Sequence, residues 1–225
     1  MSVQVREVSR FDQVRFRGPG SLKIRQGDKD SLTIHAPAYL IDEIVSEVRE
    51  TVLHLGYVSP KVHSLRVHQE IISYQLSMKD VRKIYVTGSG KVTVPDLDND
   101  IVSVAVTGSG QLVMDNFTAD RFYVDLAGSG SILVAGDVEV QSVNISAGGT
   151  YKAERLVSDF AEVMVSGSGS AAISVSDNLH VAISGSGNVS YAGYPELTKQ
   201  ITGSGKLTPR RPNKQQGIGE EYERR

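Results

Sequence analysis

One tripeptide, Gly-Ser-Gly, recurs along the chain and restricts what it can fold into. It stands at 88–90, 108–110, 128–130, 167–169, 185–187 and 203–205. The intervals between successive first glycines are 20, 20, 39, 18 and 18 residues. The interval of 39 is about two periods, and Ala147-Gly148-Gly149-Thr150 fills it as a decayed copy. A period near 20 with no helical pattern inside it is the signature of a solenoid, whose units cannot bury an apolar face alone and must stack.

Strict alternation flanks each corner. Two residues before the first glycine come Val86, Val106, Leu126, Val165, Ile183 and Ile201. Four before it come Ile84, Val104, Val124, Val163 and Val181, then Lys199. Two after the second glycine come Val92, Leu112, Ile132, Ala171, Val189 and Leu207; four after it come Val94, Met114, Val134, Ile173 and Tyr191, then Pro209. This predicts two strands per unit, each with one buried face. A glycine corner between strands also suits a hairpin. The equal repeat favours stacking instead, with equivalent strands paired in parallel about 4.8 Å apart. Glycine takes φ > 0 without steric cost and lets successive turns approach closely. The serine between is read as a small residue rather than as a rung of a hydroxyl ladder.

A second, looser corner is rich in Asp and Asn, which suit turns through local side-chain bonds. Leu97, Phe117, Val138, Leu156 and Leu197 are expected to plug the core beside it. The unit at 143–153 breaks register, because Asn144 and Ser146 fall where core residues belong. Turning Ile145 and Ala147 inward with one inserted residue repairs it, which predicts a bulge. Val14 to Ile24, around Gly18-Pro19-Gly20, repeats the strand–corner–strand logic, and Ser31-Leu32-Thr33-Ile34 follows as another strand. Residues 40–55 fit two patterns: a helical stripe of Leu40, Ile44, Val48, Val52 and Leu55, or strands about a turn at 49–51. The expectation is a single β-solenoid domain over 1–208, with 84–208 its regular part and 1–83 less regular. Residues 209–225 read as a disordered, charged tail.

The net charge of −2 hides an asymmetry. Residues 84–205 hold five Lys/Arg against thirteen Asp/Glu, which leaves 19 basic and 13 acidic residues elsewhere out of totals of 24 and 26. So acidic a repeat body is a poor partner for nucleic acid or anionic lipid. There is no cysteine, so no disulfide or thiolate metal site forms within the chain, and a lipobox anchor is not expected in it as written. The N-terminus has no basic segment followed by an apolar one, and no run reaches the length of a membrane span. As written, the chain is expected in the cytosol; a trimmed N-terminus would instead fit the cell surface or periplasm.

Phe11-Asp12-Gln13-Val14, then Leu32-Thr33-Ile34, then Leu40 to Ile44 with Val52-Leu53-His54-Leu55, followed by serial Val-Thr-Gly-Ser-Gly-x-Val, resembles the head GIN domain, an auto-transporter adhesin-like bacterial family of unknown function. The resemblance covers roughly residues 8–208. It implies an all-β fold, a right-handed parallel β-helix with about 18–21 residues per repeat, and it favours strands at 40–55. It brings no catalytic residues with it.

Several chemical constellations fail on spacing. Gly88-Ser89-Gly90-Lys91 and Gly203-Ser204-Gly205-Lys206 lack the leading glycine and the Ser/Thr of a phosphate loop, having Tyr85 or Gln200 and Val92 or Leu207 there. His35, His54, His63, His68 and His180 show no metal-ligand spacing. Asp96, Asp98, Asp100, Asp115, Asp120, Asp137, Asp159 and Asp177 gather on the loose corners. They could hold Ca²⁺ or act as paired acids, but turn chemistry explains them first. Tyr85, Tyr123, Tyr151, Tyr191 and Tyr194 read as exposed and could stack on sugars, though not in one column. The sequence therefore assigns no catalytic, cofactor-binding or metal residue. It points to a non-catalytic structural or binding scaffold, adhesin-like, with a carbohydrate or protein partner or a second copy of itself. The alternatives are a carbohydrate-active β-helix enzyme and a self-assembling cytosolic β-helix of bactofilin type.

Overall fold

The computed structural model describes residues 1–57 and 72–210 of the chain. It is nearly all β, a solenoid of about six turns built from parallel stacked strands. The N-terminal part runs β1 (Ser2–Arg6), β2 (Gln13–Arg17), β3 (Ser21–Gln26), β4 (Ser31–Ala36), a one-turn helix α1 (Ala38–Ile41), β5 (Ile44–Arg49), β6 (Val52–Tyr57) and β7 (Ser73–Met78). The repeat body runs β8 (Lys83–Gly88), β9 (Lys91–Asp98), β10 (Ile101–Gly108), β11 (Gln111–Gly128), β12 (Ser131–Ile145), β13 (Thr150–Gly167), β14 (Ser170–Gly185), β15 (Asn188–Ala192), β16 (Glu196–Gly203) and β17 (Lys206–Pro209).

Every pairing within the repeat body is parallel, and around the glycine corners it keeps the register the glycines set. Gly108 lies beside Gly88 and Gly128, and Val104 beside Ile84 and Val124. The inward columns are buried as the alternation requires, from Ile84, Val86, Val92 and Val94 up to Val181, Ile183 and Val189. At the corners the backbone carries the ladder: the Ser109 and Ser129 amides donate to the Gly88 and Gly108 carbonyls at 3.0 and 2.9 Å. A side chain on Gly110 would meet Val86 at 2.8 Å and the Gly90 carbonyl oxygen at 3.0 Å, so the corner needs small residues for space as well.

The two strands expected per unit merge. β11, β12, β13 and β14 each run without a break through the loose corner, from one glycine corner to the next. The changes of repeat length are absorbed on that side. The register slips by one residue between Met114 and Phe117 where β11 meets β12, and again beyond Leu133 where β12 meets β13. The bulge expected at 143–153 is not at the decayed corner. Val143 and Ile145 pair in register with Val124 and Leu126 on one side and with Val163 and Val165 on the other. Ala147 takes the place of the first glycine, and Ile145 alone turns fully inward. Ala147 does not share the positive φ of Gly128 and Gly167, so this one corner closes without a left-handed residue. Leu97, Phe117, Val138 and Leu156 do plug the core, but Leu197 does not: it lies on the last turn, with no described strand stacked beyond it, and is 37% exposed.

The N-terminal turns depart from chain order. β2 lies between β6 and β8, and β3 between β7 and β9, all in parallel. The turn made by 13–26 is thus sandwiched between a later one, β6–β7, and the repeat body. Beyond it the sheet closes with antiparallel strands: β5 on β6, β4 on β7, and β1 on β4. Residues 40–55 accordingly form strands, with only α1 helical. Arg6 pins this cap, donating to the carbonyls of Ile41 and Ile44 and to the Ser46 hydroxyl. At the other end the tail begins later than expected. Pro209 completes β17, and Arg210 donates its amide to the Tyr191 carbonyl at 2.7 Å. The rest of the tail, 211–225, and His63 and His68 lie outside the described residues.

Candidate functional site

Alternation sends every second side chain of a strand out of the coil, and at the capped end those side chains form ordered rows. Glu47, His54, Arg15 and Tyr85 stand side by side across β5, β6, β2 and β8. One step along lie Arg49, Val52, Gln13 and Lys83; one step the other way lie Val45, Gly56, Arg17 and Thr87. Gly56 is a gap in its row. A side chain there would press on the Arg17 carbonyl at 3.0 Å and its Cβ at 3.4 Å. The gap opens a pocket of about 420 Å³ lined by Arg15, Arg17, Val45, Glu47, Arg49, His54, Leu55, Gly56 and Tyr57.

The charges in this pocket do not balance. Glu47 pairs with Arg49 at 2.8 Å, which holds its carboxyl below the usual carboxylate range. Arg15 and Arg17 have no acidic partner among the described residues. The Arg15 guanidinium stacks over the Tyr85 ring, 4.5 Å from its centre, and the Lys83 ammonium is 4.9 Å from the same ring. The Arg15 Nε is buried and makes no hydrogen bond among the described residues. Burial holds the His54 imidazole below its ordinary 6.5, and the charges of Arg15 and Arg49 push it the same way. Burial also pushes the Tyr57 phenol up to about 12, against a smaller effect of the Tyr74 hydroxyl beside it.

Nothing in the sequence marked Arg15 or Arg17. The signal available was the excess of basic residues outside 84–205, together with Gln13-Val14-Arg15-Phe16-Arg17, an alternation that must put both arginines on one face. His54, weighed as a metal ligand, sits instead among cations.

The residues the sequence did mark are dispersed. Asp96, Asp98, Asp100, Asp115, Asp120, Asp137, Asp159 and Asp177 are all exposed. They stack in part: Asp100, Asp120, Glu139 and Asp159 are neighbours on four successive turns, each roughly 5 Å from the next, whereas the column through Asp98 continues as Thr118, Asp137 and Val157. Asp96 accepts from Asn116 at 2.9 Å and Asp159 from Ser176 at 3.1 Å, each bond joining one turn to the next. Among the described residues no group of three His, Asp or Glu is placed to share a metal ion. Of the tyrosines expected outside, Tyr194 is 90% and Tyr123 40% exposed, but Tyr151 is fully buried. It closes a polar network inside the coil: its hydroxyl donates to Gln141 at 3.0 Å, Gln141 donates to the Ser158 hydroxyl at 2.7 Å, and Ser158 donates to the Ser174 carbonyl at 3.1 Å. Burial pushes the Tyr151 phenol up.

Residues 10–195 match the family described as "Putative auto-transporter adhesin, head GIN domain". The chain belongs to the GIN family. Solved structures share the GIN fold along nearly the whole chain. A "putative adhesin" from Bacteroides fragilis superposes with a TM-score of 0.83 at 19% identity, covering 93% of this chain and 96% of that one. A "Putative lipid binding protein" from Parabacteroides distasonis superposes at 0.73 and 23% identity, with the same coverage. A "putative adhesin" from Parabacteroides distasonis superposes at 0.68 and 19%, again with that coverage. No curated protein matches the sequence. Among the described residues no helix is long and apolar enough to cross a membrane.

Proposed function

We propose that this GIN chain is a non-catalytic binding scaffold, adhesin-like in role, which recognises a small partner at its capped N-terminal end. The observation that carries this is where side-chain chemistry concentrates. Along the repeat body the outward rows are small or mixed residues apart from one exposed acidic column, Asp100–Asp120–Glu139–Asp159, whereas at the cap three arginines, a histidine and a tyrosine converge on one pocket. The solenoid beneath is a stiff support, since its core columns run unbroken from the cap to Val189. The family description and the names of the solved relatives support binding as the role. They also support a surface or periplasmic setting, and they lend nothing to the cytosolic expectation drawn from the N-terminus. The competing enzyme reading needs two carboxylates about 5–9.5 Å apart across a groove, whereas the neighbouring acids Asp120, Glu139 and Asp159 lie side by side along one exposed column of the coil.

An immobilised panel of neutral and acidic saccharides, with the reducing ends released into solution assayed alongside, tests this reading. The expected result is retention of the protein on part of the panel with no new reducing ends. Release of reducing ends that scales with protein concentration would replace the scaffold with an enzyme.

A further inference from the structure

The chemistry of the capped-end pocket selects its ligand. Arg15 and Arg17 are two residues apart on one strand, so their side chains leave the same face of the sheet roughly 7 Å apart. A guanidinium is always charged and offers a planar fork of donors suited to carboxylate, sulfate or phosphate. Arg49 is already engaged by Glu47. Arg15 and Arg17 therefore carry the uncompensated charge, and the buried Arg15 Nε is a donor with no acceptor among the described residues. A buried donor left unpaired is unfavourable, and an oxyanion entering beside it would supply the acceptor. The pocket is also larger than a bare ion needs. Its volume is that of a small organic ligand, and Val45 and Tyr57 add apolar walls for a carbon skeleton.

We infer that this pocket binds an oxyanion, the carboxylate, sulfate or phosphate of a small ligand with a carbon skeleton, through Arg15 and Arg17, with Arg49 at the rim. This inference rests on the scaffold reading and names what the scaffold takes. One oxyanion could come from an acidic saccharide or from a lipid headgroup. In either case the ligand lowers the positive potential around His54. The His54 pKa is therefore higher with the oxyanion bound than with a neutral ligand of the same shape, which buries the ring equally.

The test is an NMR titration of the full chain, following the His54 ring and backbone amides, with galacturonate, galactose and inorganic phosphate. Co-sedimentation with phosphatidylglycerol vesicles is run in parallel. Galacturonate is expected to bind saturably, at least tenfold more tightly than galactose, and to hold the His54 pKa higher than galactose does, with phosphate competing. Vesicle binding that phosphate displaces, with no galacturonate binding, would make a headgroup the source and still support the oxyanion. Arg17→Gln, an exposed change that leaves the core untouched, should weaken binding at least tenfold, as should Arg15→Gln. Arg121→Gln, on a distant turn, should leave it unchanged. Equal binding of galactose and galacturonate, or undiminished binding by Arg17→Gln, would overturn the assignment. If no oxyanion probe binds while the saccharide panel still retains the protein, the oxyanion falls and the scaffold stands. If neither binds, both fall.

Discussion

Gly108 shows how much of this fold rests on single backbone positions. Its φ is +111°, and a Cβ placed on it would lie 2.8 Å from the Gly88 carbonyl oxygen of the turn below. A β-branched residue there is strained twice, by its own dihedral and by the neighbouring turn. Gly108→Val is expected to destabilise by roughly 3 kcal/mol, seen as a lower urea midpoint with an unchanged slope. An unaltered midpoint would mean that the glycines serve something other than the backbone. This requirement was legible in the sequence because the same dihedral recurs at each Gly-Ser-Gly corner and leaves a repeated residue. The Gln141–Tyr151–Ser158 network was not legible. Each member occurs once, and alternation says only that a side chain points inward, not that it finds a partner there. Gln141→Leu leaves the Tyr151 and Ser158 hydroxyls buried without that partner and should cost about 1–3 kcal/mol. Adding Tyr151→Phe should cost less than that change costs alone in the parent chain, because the stranded hydroxyl is already a liability. Strict additivity in this double-mutant cycle would show that the network contributes no coupling.

At the level of strands, the regular body could be read from alternation because each turn pairs with its chain neighbours. The N-terminal turns could not. The insertion of β2–β3 between β6–β7 and β8–β9 is a matter of non-local pairing, and no local pattern encodes which strand lies beside which. The pocket depends on that swap, since it sets His54 of β6 beside Arg15 of β2. His54 gives the arrangement a pH signature. Its folded pKa lies below 6.5, held there by burial and by Arg15, Arg49 and Arg17, with Glu47 opposing. Above 6.5 the imidazole is neutral in both folded and unfolded chains and contributes no pH dependence. As pH falls below 6.5 the unfolded chain takes the proton more readily, so stability declines until the folded pKa is passed. Urea midpoints at pH 7.5 and 5 should therefore differ more for the parent chain than for His54→Gln. Equal differences would remove His54 from the account. The loose-corner acids make the opposite kind of prediction. Their carboxylates are exposed and, among the described residues, no three of them converge on one point, so millimolar Ca²⁺ should leave the melting temperature unchanged. A rise of several degrees reversed by chelator would place a cation among them.

The whole molecule is asymmetric end to end. One end is closed by antiparallel strands, while at the other β16 and β17 each pair on one side only among the described residues. All eight residues of β16 are exposed, and Leu197 and Ile201, on its inward columns, are 37% and 38% exposed. Such an edge is a template for another parallel strand. Part of it is blunted: Pro209 has no amide to donate, and Arg210 folds back onto Tyr191 and onto Glu154 at 2.7 Å. Beyond Arg210 the chain continues with Arg211, Pro212, Lys214, Glu220, Glu221, Glu223, Arg224 and Arg225, a charged run with a second proline. We predict that this run discourages end-to-end growth. A chain ending at Arg210 should keep its melting temperature, because the last turn retains its hydrogen bonds and its ion pair. It should also gain mass with concentration in sedimentation, where the full chain does not, and Ile201→Lys in the shortened chain should restore the monomer by placing a charge on the apolar end. A shortened chain as monodisperse as the full one would end the capping idea. A shortened chain that melts early would show that the fold itself depends on the segment after Arg210, and association would then have to be compared through Ile201→Lys in the full chain, where no change in mass at any concentration is the outcome that rejects the edge as a growing end.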